Sequence, residues 1–204
     1  MRNSPQLITY ADRLAGDLRG VQQLLNGPFA GAFGGVHILP FFDPIDGADA
    51  GFDPRDHTSV DRRLGTWTDI ANIAEQFDVM ADLIVNHVSS DSTSFQDWLK
   101  NGSKSEWNDL FLTMRSVFPH GASEEDLAKI YRPRPGLPFT NLTMNDGSSR
   151  LVWTTFTSQQ IDIDVESPTG TAYLDSILDA FSSGGVSLVR LDAVGYAIKR
   201  PGTS

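Results

Sequence analysis

The chain has 204 residues, 40% of them hydrophobic, which is enough to bury the core of a globular domain. Its 16 lysine and arginine residues against 26 aspartate and glutamate residues give a formal net charge of -10, and no basic run could follow a phosphate backbone, so we predict no nucleic-acid partner. There is no cysteine, which excludes disulfides, thiolate catalysis and cysteine-held metals.

Export and membrane signals are also missing from the sequence. Residues 1–6 lack the apolar core of a signal peptide, and no later segment is long and apolar enough to span a bilayer. We therefore predict a cytoplasmic protein with no membrane partner.

The chain opens with predicted strands and helices in alternation. A strand is predicted at Gln6–Tyr10, and a helix at Asp12–Asn26, where leucine and valine recur at helical spacing before a Gly-Pro pair. Gly35–Leu39 is typical of a second, buried strand. The loop that follows, Pro40–Gly65, is rich in glycine, proline and aspartate and is long enough to be functional.

A capping box, Thr66 with Asp69, predicts the start of the next helix, and Val79–Asn86 is predicted as a third strand. Between His87 and Ser167 the regular alternation stops, which indicates an inserted subdomain. The pair Ser167-Pro168 then predicts the start of a further helix, and two glycines separate that helix from a strand that begins at Val186.

This order of elements is typical of a parallel sheet with right-handed crossovers. An open doubly wound sheet normally has a glycine-rich phosphate-binding turn after its first strand, and residues 10–13 do not form one. We therefore predict an α/β fold, the N-terminal half of a TIM (β/α)8 barrel with an inserted subdomain after the third strand. Residues 1–87 and 168–204 would form the barrel, and residues 88–167 the insertion.

The last predicted strand carries an arginine and an aspartate two residues apart. Because side chains in a strand alternate between its faces, Arg190 and Asp192 share one face, with Asp192 at the C-terminal end. A neighbouring guanidinium favours the ionised carboxylate, which makes Asp192 a candidate nucleophile. A structural ion pair at the end of a strand is the alternative.

Three segments at predicted strand ends together resemble motifs of the alpha-amylase family of retaining glycosidases and transglycosylases. They are residues 82–87 (DLIVNH), 51–57 (GFDPRDH) and 189–193 (VRLDA). Four more segments are similar to those of the phosphorylases in this family that act on sucrose: residues 6–12, 37–42, 46–52 and 131–138.

The resemblance implies a role for several of these side chains. Asp192 would be the nucleophile and Arg190 the arginine that orients it. His87 and Asp49 would bind hydroxyl groups of a glucosyl ring, and Phe52 would stack on the apolar face of that ring. Taken singly, without the motifs, these last three would be interpreted as a satisfied polar group, a turn former and loop packing.

Further contacts are implied around the same site. Phe156, Gln160 and Tyr196 would lie around the sugar and on the acceptor side. Arg134 is the candidate for binding inorganic phosphate, because a guanidinium grips phosphate with two hydrogen bonds. A loop cap or a surface ion pair is the alternative for Arg134.

By the same resemblance, the expected reaction is retaining glucosyl transfer from sucrose to phosphate, without a cofactor or a metal ion. Gln160, Asp162 and Asp164 share a strand face with no clustered histidine, so we predict structural hydrogen bonds there rather than metal binding. The acid–base glutamate of the family is expected beyond Ser204, which would make this chain an inactive fragment of an enzyme that we expect to be a homodimer.

Two other functions stay open at this stage. A related enzyme would take sucrose 6-phosphate, glucosylglycerol or a glucosylglycerate, or would hydrolyse its substrate. A protein of another class, a non-catalytic sugar-binding half barrel, would expose the edges of its first and last strands.

Overall fold

The computed structural model of the chain describes residues 2–46 and 49–202. Gly47 and Ala48, which belong to the 46–52 motif, lie outside the described residues. The strands of the described residues are β1 Gln6–Thr9, β2 Gly35–Ile38, β3 Phe42–Asp43, β4 Asp56–Val60, β5 Asp78–Ile84, β6 His87–Ser89, β7 Phe139–Thr143, β8 Ser149–Trp153, β9 Gln160–Asp162 and β10 Leu188–Asp192. The α-helices are α1 Ala11–Ala15, α2 Leu18–Asn26, α3 Trp67–Ala74, α4 Thr93–Asn101, α5 Met114–Val117, α6 Glu124–Lys129 and α7 Pro168–Ser183.

The chain divides into two compact units. Unit 1 contains the residues up to Leu83 together with Asp175–Asp192, and unit 2 contains Ile84–Leu174 together with the segment from Ala193 onward. The domain division at residues 87 and 167, which the sequence pattern predicts, stays a prediction.

A four-stranded sheet with the order β1-β2-β5-β10 forms the framework of unit 1. Strands β1 and β2 are parallel, as are β2 and β5, with Leu7 opposite Val36 and Val36 opposite Val79. The helices between these strands bury Leu18, Val21, Leu25, Ile70 and Ile73 completely. The two outer strands expose apolar side chains, with Ile8 of β1 64% exposed and Leu191 of β10 51% exposed. In the strand order, β1 and β10 are the two edges of the sheet, as the predicted half barrel requires.

The helix predicted over Asp12–Asn26 is wrong as a single element, because the structure breaks it into α1 and α2. Gly16 ends α1 with a φ of 85°, a left-handed conformation that residues other than glycine rarely adopt. Asp17 then starts α2, and its carboxylate accepts a hydrogen bond from the Gly20 N–H at 2.7 Å. The first helix therefore ends at Gly16, and a new helix starts at its own N-cap, Asp17.

The loop predicted over Pro40–Gly65 also contains regular structure. Strands β3 and β4 pair in an antiparallel hairpin, with Phe42 opposite Val60 and an irregular register beside it. The capping box predicted at Thr66 and Asp69 is confirmed at the start of α3, and the predicted N-cap Ser167 accepts a hydrogen bond from the Gly170 N–H at 2.9 Å.

Unit 2 is built from short antiparallel pairs and short helices. Strand β6 pairs with β9, and β7 pairs with β8. One apolar cluster joins residues of these strands with α4 and includes Val88, Phe95, Trp98, Ile161 and Ile163. The β6–β9 pair is important for the site, because it places His87 directly opposite Asp162.

Among the described residues, no helix is long and apolar enough to cross a membrane.

Candidate active site

Asp192 ends strand β10 in unit 1, and Arg190 of the same strand contacts it. The Arg190 Nη1 atom lies 3.1 Å from the Asp192 Oδ1 atom, and the Asp192 side chain is 19% exposed. The predicted pairing of Arg190 with Asp192 is therefore present in the structure. An ionised carboxylate that is held by a cation and still open to solvent is suited to nucleophilic attack.

A second carboxylate, that of Asp82 in β5, also binds the Arg190 guanidinium. The Arg190 Nη1 atom also donates a hydrogen bond to Asp82 Oδ1, and Asp82 is completely buried. This hydrogen bond is the main cause that raises the pKa of Arg190 above its ordinary value; Asp192 contributes less. Arg190 is therefore anchored to Asp82 first and shared with Asp192.

Asp82 has a second partner on the neighbouring strand. The His37 Nε2 atom of β2 lies 2.9 Å from the Asp82 Oδ2 atom, and His37 is buried. The four side chains thus form one chain of polar contacts across three adjacent strands, from His37 through Asp82 and Arg190 to Asp192. His37 and Asp82 lie in the motif segments 37–42 and 82–87, but no role was predicted for either residue.

The predicted sugar-binding residues Asp49 and Phe52 lie in one turn of unit 1. The Phe52 N–H donates a hydrogen bond to the carbonyl oxygen of Asp49 at 3.0 Å. The Arg190 guanidinium carbon lies 5.9 Å from the centre of the Phe52 ring, a distance at the outer limit of a cation–π contact. The structure therefore brings Phe52 to the guanidinium that also contacts Asp192.

An ion network fixes the base of this turn. Arg63 binds Asp46 through two hydrogen bonds of 2.9 Å and also contacts the buried Asp61, whose other contacts include the Ile45 N–H at 3.1 Å. The hydrogen bond from Arg63 is the main cause that lowers the pKa of Asp61 to about 2. Asp61 thus stays ionised at neutral pH and can hold the segment that leads to Asp49.

His87 is the centre of a second group of residues, in unit 2. It is buried, and its Nε2 atom lies 3.1 Å from the Gln160 side-chain amide. The Phe156 ring meets the His87 ring at 5.4 Å between centres, and the Tyr196 ring meets Phe156 at 5.2 Å. The predicted residues His87, Phe156, Gln160 and Tyr196 are therefore neighbours within unit 2.

A buried ammonium group lies beside this cluster. Lys199 Nζ contacts Asp162 Oδ2 at 2.6 Å, donates to Asn86 Oδ1 at 2.9 Å and donates to the carbonyl oxygen of Tyr196. The Asp162 side chain is completely buried and also accepts hydrogen bonds from the backbone and side chain of Thr155. The Lys199 ammonium group therefore contacts three oxygen atoms, those of Asp162, Asn86 and Tyr196. Lys199 was not predicted as a site residue.

Lys199 also fixes the orientation of the Asn86 side chain beside His87. Because the ammonium is donor-only, it fixes Asn86 with its oxygen toward Lys199 and its amide nitrogen 3.4 Å from His87 Nδ1. The Gln160 Nε2 atom lies 3.1 Å from His87 Nε2, so amide nitrogens, which only donate, face both ring nitrogens of His87. A neutral imidazole has one acceptor nitrogen and therefore accepts a hydrogen bond from one of these two amides.

Aromatic side chains line a cavity of about 410 Å³ in unit 2, next to this cluster. The Tyr131 and Tyr196 rings stack with their centres 6.0 Å apart at an angle of 21°. Both rings line the cavity together with Trp153 and Thr155. Flat rings beside a few polar groups are suited to binding a sugar.

The predicted phosphate residue Arg134 lines a smaller cavity of about 250 Å³. Arg132 lines it as well, together with four hydroxyl-bearing residues, Thr154, Thr155, Thr157 and Ser158. Two guanidinium groups and several hydroxyl groups around one cavity form a suitable environment for an anion.

Among the described residues, no group of three or more histidine, aspartate or glutamate side chains could hold a metal ion. Gln160 and Asp162 both lie in β9, where Gln160 contacts His87 and Asp162 accepts a hydrogen bond from Thr155, whereas Asp164, predicted on the same strand face, lies beyond the end of β9. The expectation that the protein needs no metal stays a prediction.

Comparison with known proteins identifies the family. The family model for the alpha-amylase catalytic domain matches residues 5–203. Sucrose phosphorylase from Agrobacterium vitis is 58% identical over 205 residues, which cover 100% of this chain and 42% of the relative. Sucrose phosphorylase from Bifidobacterium adolescentis is 57% identical, again over 100% of this chain, and 40% of its length is covered.

A solved structure, sucrose 6F-phosphate phosphorylase from Thermoanaerobacter thermosaccharolyticum, superposes with a TM-score of 0.93 at 42% identity. The match covers 100% of this chain and 42% of that one. These comparisons confirm the predicted fold class, part of a (β/α)8 barrel, while the insertion over residues 88–167 stays a prediction. The chain spans less than half the length of these relatives.

Proposed function

This chain belongs to the alpha-amylase family, and we propose that the whole protein transfers a glucosyl group from sucrose to inorganic phosphate with retained configuration. The products are glucose 1-phosphate and fructose. Identities of 58% and 57% with two sucrose phosphorylases across the entire chain support this substrate pair.

The observation that carries the proposal is the contact between Arg190 and the partly exposed Asp192 at the end of β10. In the first step, a carboxylate oxygen of Asp192 forms a bond to the anomeric carbon while the bond from that carbon to the fructosyl oxygen breaks. The leaving oxygen takes a proton from a general acid. We assign that acid to the remainder of the whole protein, because the motifs of this chain supply the nucleophile alone.

In the second step, an oxygen of inorganic phosphate attacks the same anomeric carbon and the ester bond to Asp192 breaks. The attacking phosphate gives its proton to the conjugate base of the general acid, so that protons balance over the cycle. Two inversions at one carbon give net retention, and the Asp192 carboxylate is regenerated beside Arg190.

The remaining site residues bind the sugar in this proposal. Asp49 and His87 hydrogen-bond hydroxyl groups of the glucosyl ring, and Phe52 stacks on its apolar face. Gln160 supports His87, at 3.1 Å from its Nε2 atom. Phe156 and Tyr196 line the acceptor side, since their rings lead from His87 to the cavity that contains Tyr131.

The decisive experiment incubates the whole protein with sucrose, with and without inorganic phosphate. We expect glucose 1-phosphate and fructose in equal amounts, with little free glucose when phosphate is present. Glucose release at an equal rate without phosphate would identify a hydrolase instead. Turnover of sucrose 6-phosphate in preference to sucrose would place the protein with the solved relative of that specificity.

Phosphate binding is assigned to Arg134, and the Arg134→Lys variant tests it. Lysine keeps the charge but loses the paired donors of the guanidinium, so the KM for phosphate should rise about tenfold while the rate of fructose release without phosphate stays unchanged. The control is Arg115→Lys, because Arg115 is an exposed arginine of the same unit. An unchanged KM for phosphate would leave Arg134 with a structural role.

We also propose that the whole protein is cytoplasmic and homodimeric. The lack of cysteine is compatible with this compartment, where disulfides are rare. The dimer follows from the family resemblance, and light scattering of the whole protein would test it.

A further inference from the structure

His37 lies outside the sugar-binding residues, in strand β2 of the sheet in unit 1. It is 5% exposed, and strand β2 around it is buried at every position. A buried imidazole nitrogen is costly unless it is hydrogen-bonded. The Nε2 atom meets this need with Asp82 Oδ2 at 2.9 Å.

The two carboxylate oxygens of Asp82 bind residues of two different strands. Oδ2 faces His37 of β2, and Oδ1 accepts the hydrogen bond from Arg190 of β10. The hydrogen bond from His37 fixes the plane of the carboxylate, so it also fixes the direction in which Oδ1 holds the guanidinium. The same Nη1 atom of Arg190 must reach Asp192 at 3.1 Å, which leaves little freedom for Asp82 to rotate.

We propose that His37 is a positioning residue for glucosyl transfer, which acts through Asp82 to keep Arg190 in contact with the nucleophile Asp192. This inference rests on the proposed function of Asp192. Without His37, the buried Oδ2 atom of Asp82 would lose its donor and turn toward the remaining cation, Arg190. Arg190 would then pair with Asp82 through more of its guanidinium and less with Asp192.

The test compares His37→Gln with His37→Leu in the whole protein. A glutamine amide places an N–H near the position of imidazole Nε2, whereas leucine fills the volume without a donor. With sucrose and phosphate, we expect His37→Leu to lower kcat about tenfold to a hundredfold with little change in the KM for phosphate, and His37→Gln to recover most of the loss.

The pH profile separates positioning from simple loss of packing. Ionised Asp192 loses part of its guanidinium partner in His37→Leu, so the acid limb of kcat/KM should move to higher pH, while it stays in place in His37→Gln. The control is Val36→Ala, a fully buried neighbour on the other face of β2, which should destabilise the protein without moving this limb.

A crystal structure of His37→Leu provides a readout that does not depend on sucrose turnover. We expect the Arg190 to Asp192 contact to be lost and the Arg190 to Asp82 contact to gain a second hydrogen bond. An unchanged Arg190 to Asp192 contact would overturn the inference, as would equal kcat losses and equal pH profiles in the leucine and glutamine variants. A wild-type protein that leaves sucrose intact would instead refute the proposed function, and the crystal structure would still decide the role of His37.

Discussion

Replacing Asp192 with alanine in the whole protein is expected to lower the rate of glucosyl transfer from sucrose by about 10⁴-fold or more. The carboxylate is the atom group that forms the bond to glucose, so the variant cannot make the ester intermediate. Binding of sucrose should change much less, because the ring contacts assigned to Asp49, Phe52 and His87 remain. Initial rates of fructose release measure the loss.

A matched control separates loss of the nucleophile from loss of one negative charge. Asp179 is an exposed aspartate of α7 in the same unit, and Asp179→Ala should keep the wild-type rate. Near wild-type turnover in Asp192→Ala would reject the nucleophile and favour the structural ion pair with Arg190.

Azide sharpens this test, because a small anion can occupy the space that the carboxylate leaves. In Asp192→Ala, azide should attack the anomeric carbon as the bond to the fructosyl oxygen breaks, which gives a glucosyl azide of inverted configuration. A residue with only a structural role would not be replaced in this way. Nuclear magnetic resonance of the product identifies the configuration.

The largest expected effect on stability is that of Lys199→Met. Removal of the ammonium leaves the fully buried Asp162 carboxylate without its cation, and breaking one side of a buried ion pair costs about 3–5 kcal/mol. Asn86 and the carbonyl of Tyr196 lose a donor at the same time. We therefore expect the free energy of unfolding to fall by about 3 kcal/mol or more, measured by urea denaturation with tryptophan fluorescence.

Two further variants test the cause of this loss. Lys129 pairs with Glu125 on the surface of α6, and Lys129→Met should cost at most about 1 kcal/mol because exposed pairs contribute little. Asp162→Asn in the Lys199→Met background removes the stranded charge and should recover part of the stability. If Lys199→Met and Lys129→Met lowered the free energy of unfolding equally, the buried ion pair would stabilise the protein no more than the exposed pair.

Much of the candidate site can be predicted from short stretches of sequence. Alternation along a strand places Arg190 and Asp192 on one face, and their contact follows from two residues of spacing. Caps such as Thr66 with Asp69 need only three residues. By contrast, the break at Gly16 and the β3–β4 hairpin were not predicted. The apolar spacing of the helix continues through Gly16, and a loop rich in glycine, proline and aspartate can still contain short strands.

The nucleophile candidate, the caps and the order of strands and helices follow from local patterns, because each depends on neighbours within a few residues. The role of His37 and Lys199 depends on the tertiary structure. His37 meets Asp82 across 45 residues, and Lys199 meets Asn86 across 113 residues, so both contacts require strand order and register before either side chain has a partner. Burial is the physical reason: the polar groups of His37 and Lys199 acquire their roles only when folding removes water and brings carboxylate or carbonyl oxygens within reach.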